Sequence, residues 1–320
     1  MKLLACVLVA VFMFAGCSGV EISERDFVVI MGIDKGENGF KVTGGSALLT
    51  GEGGGEGKLN IKTSQGNSLV YMFEADDNKD ALKSYYGQLK TVVIGEDIAK
   101  DEETFKETIE VLLKNNDINL KTIIVASNDE AEKIVNAVGQ KDNEYGLFIW
   151  DFYKNIGKES DRTYKLTIKG MAEKQYGGYI LPIVSLDGAD IVFGGGYVMD
   201  GINFKGKLDE KHMKSAMIMD KKVKDAVLEE GDNALKIKNN RIKISLKHKD
   251  KNVLCSIDMF IKAELLTDEF DFSKAERQLK EDTEAMLTLV YKEMNVDLFS
   301  LSEGNNYDMD FDVAVFIDAE

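Results

Sequence analysis

The stretch Phe27-Val28-Val29-Ile30-Met31-Gly32-Ile33-Asp34 is an almost unbroken apolar run, followed by Lys35-Gly36-Glu37-Asn38-Gly39 and then Phe40-Lys41-Val42-Thr43. The first segment reads as a buried strand, rich in side chains branched at Cβ. Asp34 to Gly39 is turn chemistry, because Gly and Asn tolerate the backbone of a tight reversal. Phe40 to Thr43 begins the partner strand. A β-hairpin therefore opens the folded part of the chain. The Gly-rich run at residues 51–57 beyond it reads as an exposed loop.

Alanine- and charge-rich segments then alternate with β-branched runs. Glu74 to Leu89 is expected to be a helix, with Ala81, Leu82, Tyr85, Tyr86 and Leu89 at helical spacing. Thr91 to Gly95 and Thr122 to Ala126 are short buried strands. Asp101 caps a helix with Phe105, Ile109, Leu112 and Leu113 on one face, and Asn128 starts another through Ile134, Val135 and Val138. This is a β/α alternation.

The second half differs. Tyr164 to Ile168 and Gly178 to Leu186 are strand-like, with the lone Pro182 marking an edge or a strand end. Phe193 to Met199, Asp200-Gly201 and Ile202 to Phe204 resemble a two-residue hairpin. Leu208 to Met219 is helix-like. Ile242, Ile244 and Leu246 alternate with polar residues, as do Val253, Cys255, Ile257, Met259 and Ile261. An amphipathic helix runs from Ser273 to Met294, and Phe311, Val313, Val315 and Ile317 mark a closing strand. The fold class is α+β and multidomain, with mixed sheets flanked by helices and a long helix near the C-terminus. Residues 1–16 stand apart as a signal. Residues 17–190 form an N-terminal α/β-type region with room for two subdomains, and 191–320 a C-terminal α+β domain. The boundary is expected near 187–193.

The N-terminus reads differently from all of this. Lys2 gives a short positive start, Leu3 to Ala15 is almost wholly apolar, and Phe14-Ala15-Gly16-Cys17 closes the run. A span of this length is short of the roughly 20 residues a membrane-crossing helix needs, and its exit through small residues is that of a secretory signal. The cysteine after the small residues resembles the end of a bacterial lipoprotein signal. On that resemblance Cys17 carries a thioether-linked diacylglycerol and is the first mature residue. Phe14 stands where Leu is more usual. Two acyl chains suffice for stable anchoring where one is marginal.

Composition excludes several classes. With 40 Lys+Arg against 56 Asp+Glu the net charge is −16, so there is no footprint for nucleic acid, which needs clustered cations. Three Cys in 320 residues build no disulfide scaffold. Anionic headgroups repel so acidic a surface on average, which leaves membrane residence to the lipid and to protein partners.

No catalytic constellation emerges. The run ending Gly57-Lys58 lacks the first Gly of a phosphate loop, where Glu52 stands, and Leu59 replaces its Ser/Thr. Gly194-Gly195-Gly196 completes no dinucleotide fingerprint. His212 and His248 lack partners at metal-ligand spacing and read as solvated. Cys255 lies on an apolar strand face and reads as a small core residue. Asp308, Asp310 and Asp312 share one strand face, as a solvated face or a weak cation site. Trp150, Phe148, Phe152 and Tyr153 form an aromatic cluster whose default is core packing.

The chain resembles the Ger(x)C spore-germination lipoproteins along nearly its whole length. Gly32-Ile33-Asp34-Lys35 is similar to the family's "GIDK" strand-turn, with Lys41-Val42-Thr43 after it. Gln88 to Ala99 is similar to "HLKVIVIGEELA", and Ile180-Leu181-Pro182-Ile183 sits where the family has an "LP" strand. Phe193 to Leu208 and the helix exit Val296-Asp297-Leu298-Phe299 also resemble family segments. Ser18-Gly19 replace the family's Trp-Asp after the lipidated Cys, and the segment after Phe299 is shorter and lacks a Trp-containing stretch. The resemblance implies a non-catalytic lipoprotein on the outer face of the cell membrane, and in the inner spore membrane of the spore. It implies assembly with germinant-receptor A and B membrane subunits that sense nutrients such as amino acids. It implies no cofactor beyond the diacylglycerol on Cys17. The alternative from another class is an extracytoplasmic solute-binding lipoprotein of a transporter, which needs two similar lobes around a cleft. A lipoprotein hydrolase would need a nucleophile–base pair that the chain does not display.

Overall fold

The computed structural model describes residues 25–47, 59–74, 83–141, 146–155, 162–174, 176–220, 226–231, 233–249, 252–267, 269–302 and 308–319. Cys17, the signal and the Gly-rich run at 51–57 lie outside the described residues. The elements run β1 (Arg25–Gly36), β2 (Gly39–Ala47), β3 (Leu59–Gly66), α1 (Leu69–Glu74), β4 (Lys83–Tyr85), β5 (Thr91–Ile94), α2 (Glu96–Lys100) and α3 (Glu102–Lys114). Then come β6 (Ile123–Ser127), α4 (Ala131–Gln140), α5 (Phe148–Asn155), α6 (Ile168–Ala172), β7 (Gly178–Asp187), β8 (Asp190–Asp200), β9 (Asn203–Leu208) and α7 (Glu210–Met219). The chain closes with β10 (Val227–Glu230), β11 (Asn233–Lys249), β12 (Asn252–Leu265), α8 (Phe272–Thr288), a π-helical turn (Leu289–Glu293) and β13 (Asp308–Ala319).

The first sheet has the order β3-β2-β1-β5-β6-β7-β8-β9, with β4 paired to the start of β1. Its centre, β1-β5-β6-β7, is parallel, and antiparallel hairpins flank it on both sides. Strands buried on both faces read as continuous apolar runs, and β5 and β6 are buried at every position. Met31, Val92, Ile94 and Ile124 face a core shared with α2, α3 and α6. Ile30, Val93, Ile123 and Val125 face a second core closed by α4 and α5. The expected aromatic cluster belongs to this second core: Phe152 stacks on Phe193 at 3.6 Å between centroids, and Tyr153 meets Phe193 edge-on at 5.6 Å.

The second sheet has the order β10-β11-β12-β13. β11 and β12 are antiparallel, and β13 lies parallel to β12 after the crossover through α8. Cys255, Ile257, Met259, Val313 and Val315 point to the face covered by α8, whose Leu279, Met286 and Leu287 fill it. α7 packs on β8 and β9 on one side and on α8 on the other, so one apolar core runs from the first sheet to the second.

Two expectations are corrected. The helix expected over Glu74 to Leu89 is not found among the described residues: α1 ends at Glu74, Lys83–Tyr85 pairs with β1 as a strand, and residues 75–82 lie outside the described residues. Gly87, inside the expected helix, sits in a turn instead. Tyr164 to Ile168 is not a strand either. It makes one bridge, Ile123 to Thr167, and then turns into α6. That segment occupies the lower edge of β6 while β7 pairs only with Ala126 and Ser127. The residues 187–193 where the boundary is expected lie at the β7–β8 hairpin, and the change of sheet comes after Leu208. The long helix near the C-terminus is present, running as α8 and then as the π-helical turn to Glu293.

Candidate functional site

The start of β1 is held by side-chain contacts. The Arg25 guanidinium lies 4.5 Å from the centre of the Tyr85 ring, which meets Phe27 edge-on at 5.7 Å. Asp26 is buried and pairs with Lys62 at 3.0 Å.

At the opposite end of the parallel strands, three sequence motifs converge. Asp34, at the end of the strand that opens the fold, reaches the start of α4. Its Oδ1 accepts the Ala131 N–H at 2.6 Å and its Oδ2 accepts the Glu132 N–H at 2.9 Å. The first amides of a helix have no partner within it, so Asp34 caps α4 from far away in sequence. Burial raises the Asp34 carboxyl above the usual range, while these two amides and Lys41 pull it down. Gly32 and Gly95 make the arrangement possible. A Cβ on Gly32 would stand 3.0 Å from the Ala131 carbonyl carbon, and one on Gly95 would collide with Asp34 Oδ1. Lys41 closes the outside, bonded to Glu130 at 2.9 Å and Glu132 at 3.0 Å.

Beside this cap lies Tyr197. Its hydroxyl is 3.2 Å from Glu96 Oε1, 3.3 Å from the Ser127 carbonyl and 3.2 Å from Asn128 Oδ1, and it donates among these acceptors. Burial, then the Glu96 charge, raises the Tyr197 hydroxyl, so it stays protonated. Lys100 pairs with Glu96 at 2.6 Å and lowers that carboxyl. Ligands of open parallel sheets bind outside the carboxyl ends of the strands. Here that position is filled by the protein's own cap and by the Glu96–Tyr197–Asn128 cluster, which makes it a structural junction.

A second junction joins the two sheets. Asp297 Oδ1 accepts from Tyr291 OH and Leu301 N, both at 2.7 Å, and Oδ2 accepts from Ser302 N at 3.0 Å and Ser302 Oγ at 2.6 Å. This hub folds the loop after the π-helical turn. A Cβ on Gly178, at the start of β7, would come within 2.6 Å of Val296 and 2.9 Å of the Asp297 carbonyl, so the loop seats directly on the first sheet.

The expected chemical candidates are placed as follows. His212 Nδ1 lies 2.8 Å from Asp209 Oδ1 at the start of α7, half-buried rather than fully solvated. His248 is exposed near the end of β11. Cys255 is wholly buried, and burial pushes its thiol up to about 11. The Asp308–Asp310–Asp312 face is served by lysines: Lys292 reaches Asp310 at 2.7 Å and Asp308 at 3.9 Å, and Lys280 reaches Asp312 at 3.9 Å. Gly194 to Gly196 lies in β8 beside a register shift opposite Pro182. Among the described residues, no group of three or more His, Cys, Asp and Glu could hold a metal ion. No helix among them is long and apolar enough to cross a membrane. A cleft of about 910 Å³ lies between α1 and α3, with Phe73, Tyr86 and Val111 as apolar lining and Lys106, Glu107 and Glu110 among its charged residues.

The sequence pattern of the family described as "Spore germination protein N-terminal domain" matches residues 18–186. Among solved structures, the chain is similar to the one titled "Crystal Structure of the GerBC protein". Identity is 15%, the TM-score is 0.56, and the alignment covers 90% of this chain and 96% of that one. At that identity the likeness is one of fold. No curated protein sequence matches.

Proposed function

The chain belongs to the Ger(x)C family of spore germination proteins, and from that premise we propose that it is a non-catalytic, lipid-anchored subunit of a nutrient germinant receptor. One observation carries the anchored reading furthest. The matched family domain begins at residue 18, one position after Cys17. What precedes it has the composition of a lipoprotein signal, and no other segment is needed to account for membrane residence. The lipid would hold the folded part at the outer face of the cell membrane, and of the inner spore membrane in the spore. Its partners would be the receptor's A and B membrane subunits, and the diacylglycerol on Cys17 would be its one non-protein group.

The buried junctions support an assembly role, since they fix the relative placement of elements and spend their polar groups on one another. The alternative of a solute-binding lipoprotein would need two like lobes. A nine-stranded mixed sheet and a four-stranded sheet are not alike. The anchor is tested by fractionating cells that make the wild type or Cys17→Ser. The wild type is expected with membranes and the variant in the medium. Retention of the variant in membranes would overturn the anchor.

A further inference from the structure

We infer that the end of the first sheet at which its parallel strands begin is the face that lies against the lipid bilayer. This rests on the proposed anchoring through Cys17.

Strand register defines that end. Ile30, Thr91 and Ile123 stand level with one another, and further up the sheet so do Ala126 and Ile183. Arg25, Leu120 and Tyr176 each precede these levels on their own chain segments, at the start of β1, before β6 and before β7. They therefore share one end of the sheet. Arg25 is where the tether joins the fold. Cys17 and Arg25 are eight residues apart in sequence, which spans at most about 28 Å even fully stretched. β7 has ten residues, about 33 Å long, so its far turn at Gly188-Ala189 lies beyond a stretched tether.

The same end displays apolar side chains. Tyr176 is 92% exposed and Leu120 is 42% exposed. An exposed Tyr and an exposed Leu at the same end of the sheet suit the headgroup boundary, where an aromatic ring with a polar tip is favoured. The exposed cations Lys121, Lys169 and Lys174 flank them, with Glu173 paired to Lys169 at 3.6 Å and Asp117 close by in the same loop region. Among the described residues of this end, the cations Arg25, Lys121, Lys169 and Lys174 stand against Asp117, Glu173 and Asp200, so a bilayer that repels a chain of net charge −16 as a whole meets a patch of mixed rather than acidic charge here. Among the described residues of this half, the other large exposed apolar side chains are Val70 and Tyr71, on α1 beside the lateral cleft. The consequence is an orientation. The Asp34–Glu96–Tyr197 end points away from the membrane, towards soluble parts of partners.

The test uses the full precursor, made in a bacterial host that processes lipoproteins and reconstituted into phosphatidylethanolamine–phosphatidylglycerol vesicles. Cys255 is wholly buried, and Cys17 is expected to be lipidated. An introduced thiol is then the one a fluorescent maleimide reaches. Tyr176→Cys and Leu120→Cys are compared with Ala189→Cys at the far turn, using nitroxide-bearing lipid as quencher. All three sites are exposed, so the fold should survive. Loss of fluorescence at 176 and 120 and none at 189 is the expected result. Flotation with the vesicles but quenching at 189, or at none of the three, overturns the orientation alone. Failure of the wild type to float overturns the anchor, and the orientation with it.

Discussion

Asp34→Ala is the most informative single perturbation of the fold. It deletes the acceptor for two amides at the start of α4, Ala131 N–H and Glu132 N–H. Loss of a helix cap costs about 1 kcal/mol. Ala131 is wholly buried, so its amide cannot turn to water instead, and an orphaned buried donor costs about 1–3 kcal/mol. The expected total is about 2–4 kcal/mol, or a fall of about 3–6 °C in melting temperature for a chain of this length. Gly95→Ala acts on the same atoms, since its methyl would displace the Asp34 carboxylate. The pair therefore forms a cycle with a sign. Once Asp34 is Ala, the space beside residue 95 is open, and the second substitution should cost about 1 kcal/mol or less. Urea unfolding gives the global values. Amide exchange at Ala131 and Glu132 gives the local ones, and should speed up in Asp34→Ala before the centre of β5 changes. Full additivity of the two substitutions would refute the cap. So would unchanged exchange at the two amides.

Further outcomes follow from other contacts. β13 is an edge strand whose outward N–H groups at Val313 and Ile317 are taken by Glu284 and Glu276 of α8, at 3.1 and 2.8 Å. Glu276→Ala with Glu284→Ala should expose that edge and increase concentration-dependent association in light scattering, since open edges template pairing. Asp297→Ala should cost about 2 kcal/mol or more, because it strands several donors of one loop, and should raise exchange at Leu301 and Ser302 most. The Cys255 thiol, at an ordinary 9.0 when unfolded and about 11 when buried, should resist alkylation at pH 8 until urea unfolds the chain. Its folded-state value is the higher one, so its contribution is complete below the unfolded value and declines as pH rises towards the folded one. Rapid labelling of the native protein at pH 8 would contradict this.

What the sequence displayed was decided by local pattern. The buried runs of β1, β5 and β6, the alternation of β12 and β13 and the Asp101 and α8 helix starts were all legible, because each is written in contiguous residues. Long-range pairings were not. The partner of Asp34 lies at Ala131, and nothing near either residue names the other; only Gly32 and Gly95, standing in strand-end motifs, hint that something must come close. Tyr85 has helical spacing with Ala81 and Leu89, yet its ring is held by Arg25 and Phe27, and that tertiary contact outweighs the local pattern. The lysines that serve the solvated acidic face at Asp308 to Asp312, Lys280 and Lys292, could not be read from the pattern because they are remote in sequence from it.

The central claim is that this chain serves a nutrient germinant receptor. The direct measurement is nutrient-triggered germination of spores lacking the gene, with a non-nutrient trigger as control. Loss of the response to at least one nutrient, with the non-nutrient response intact and the defect repaired by the wild-type gene, is the predicted result. Normal germination with every nutrient would contradict it.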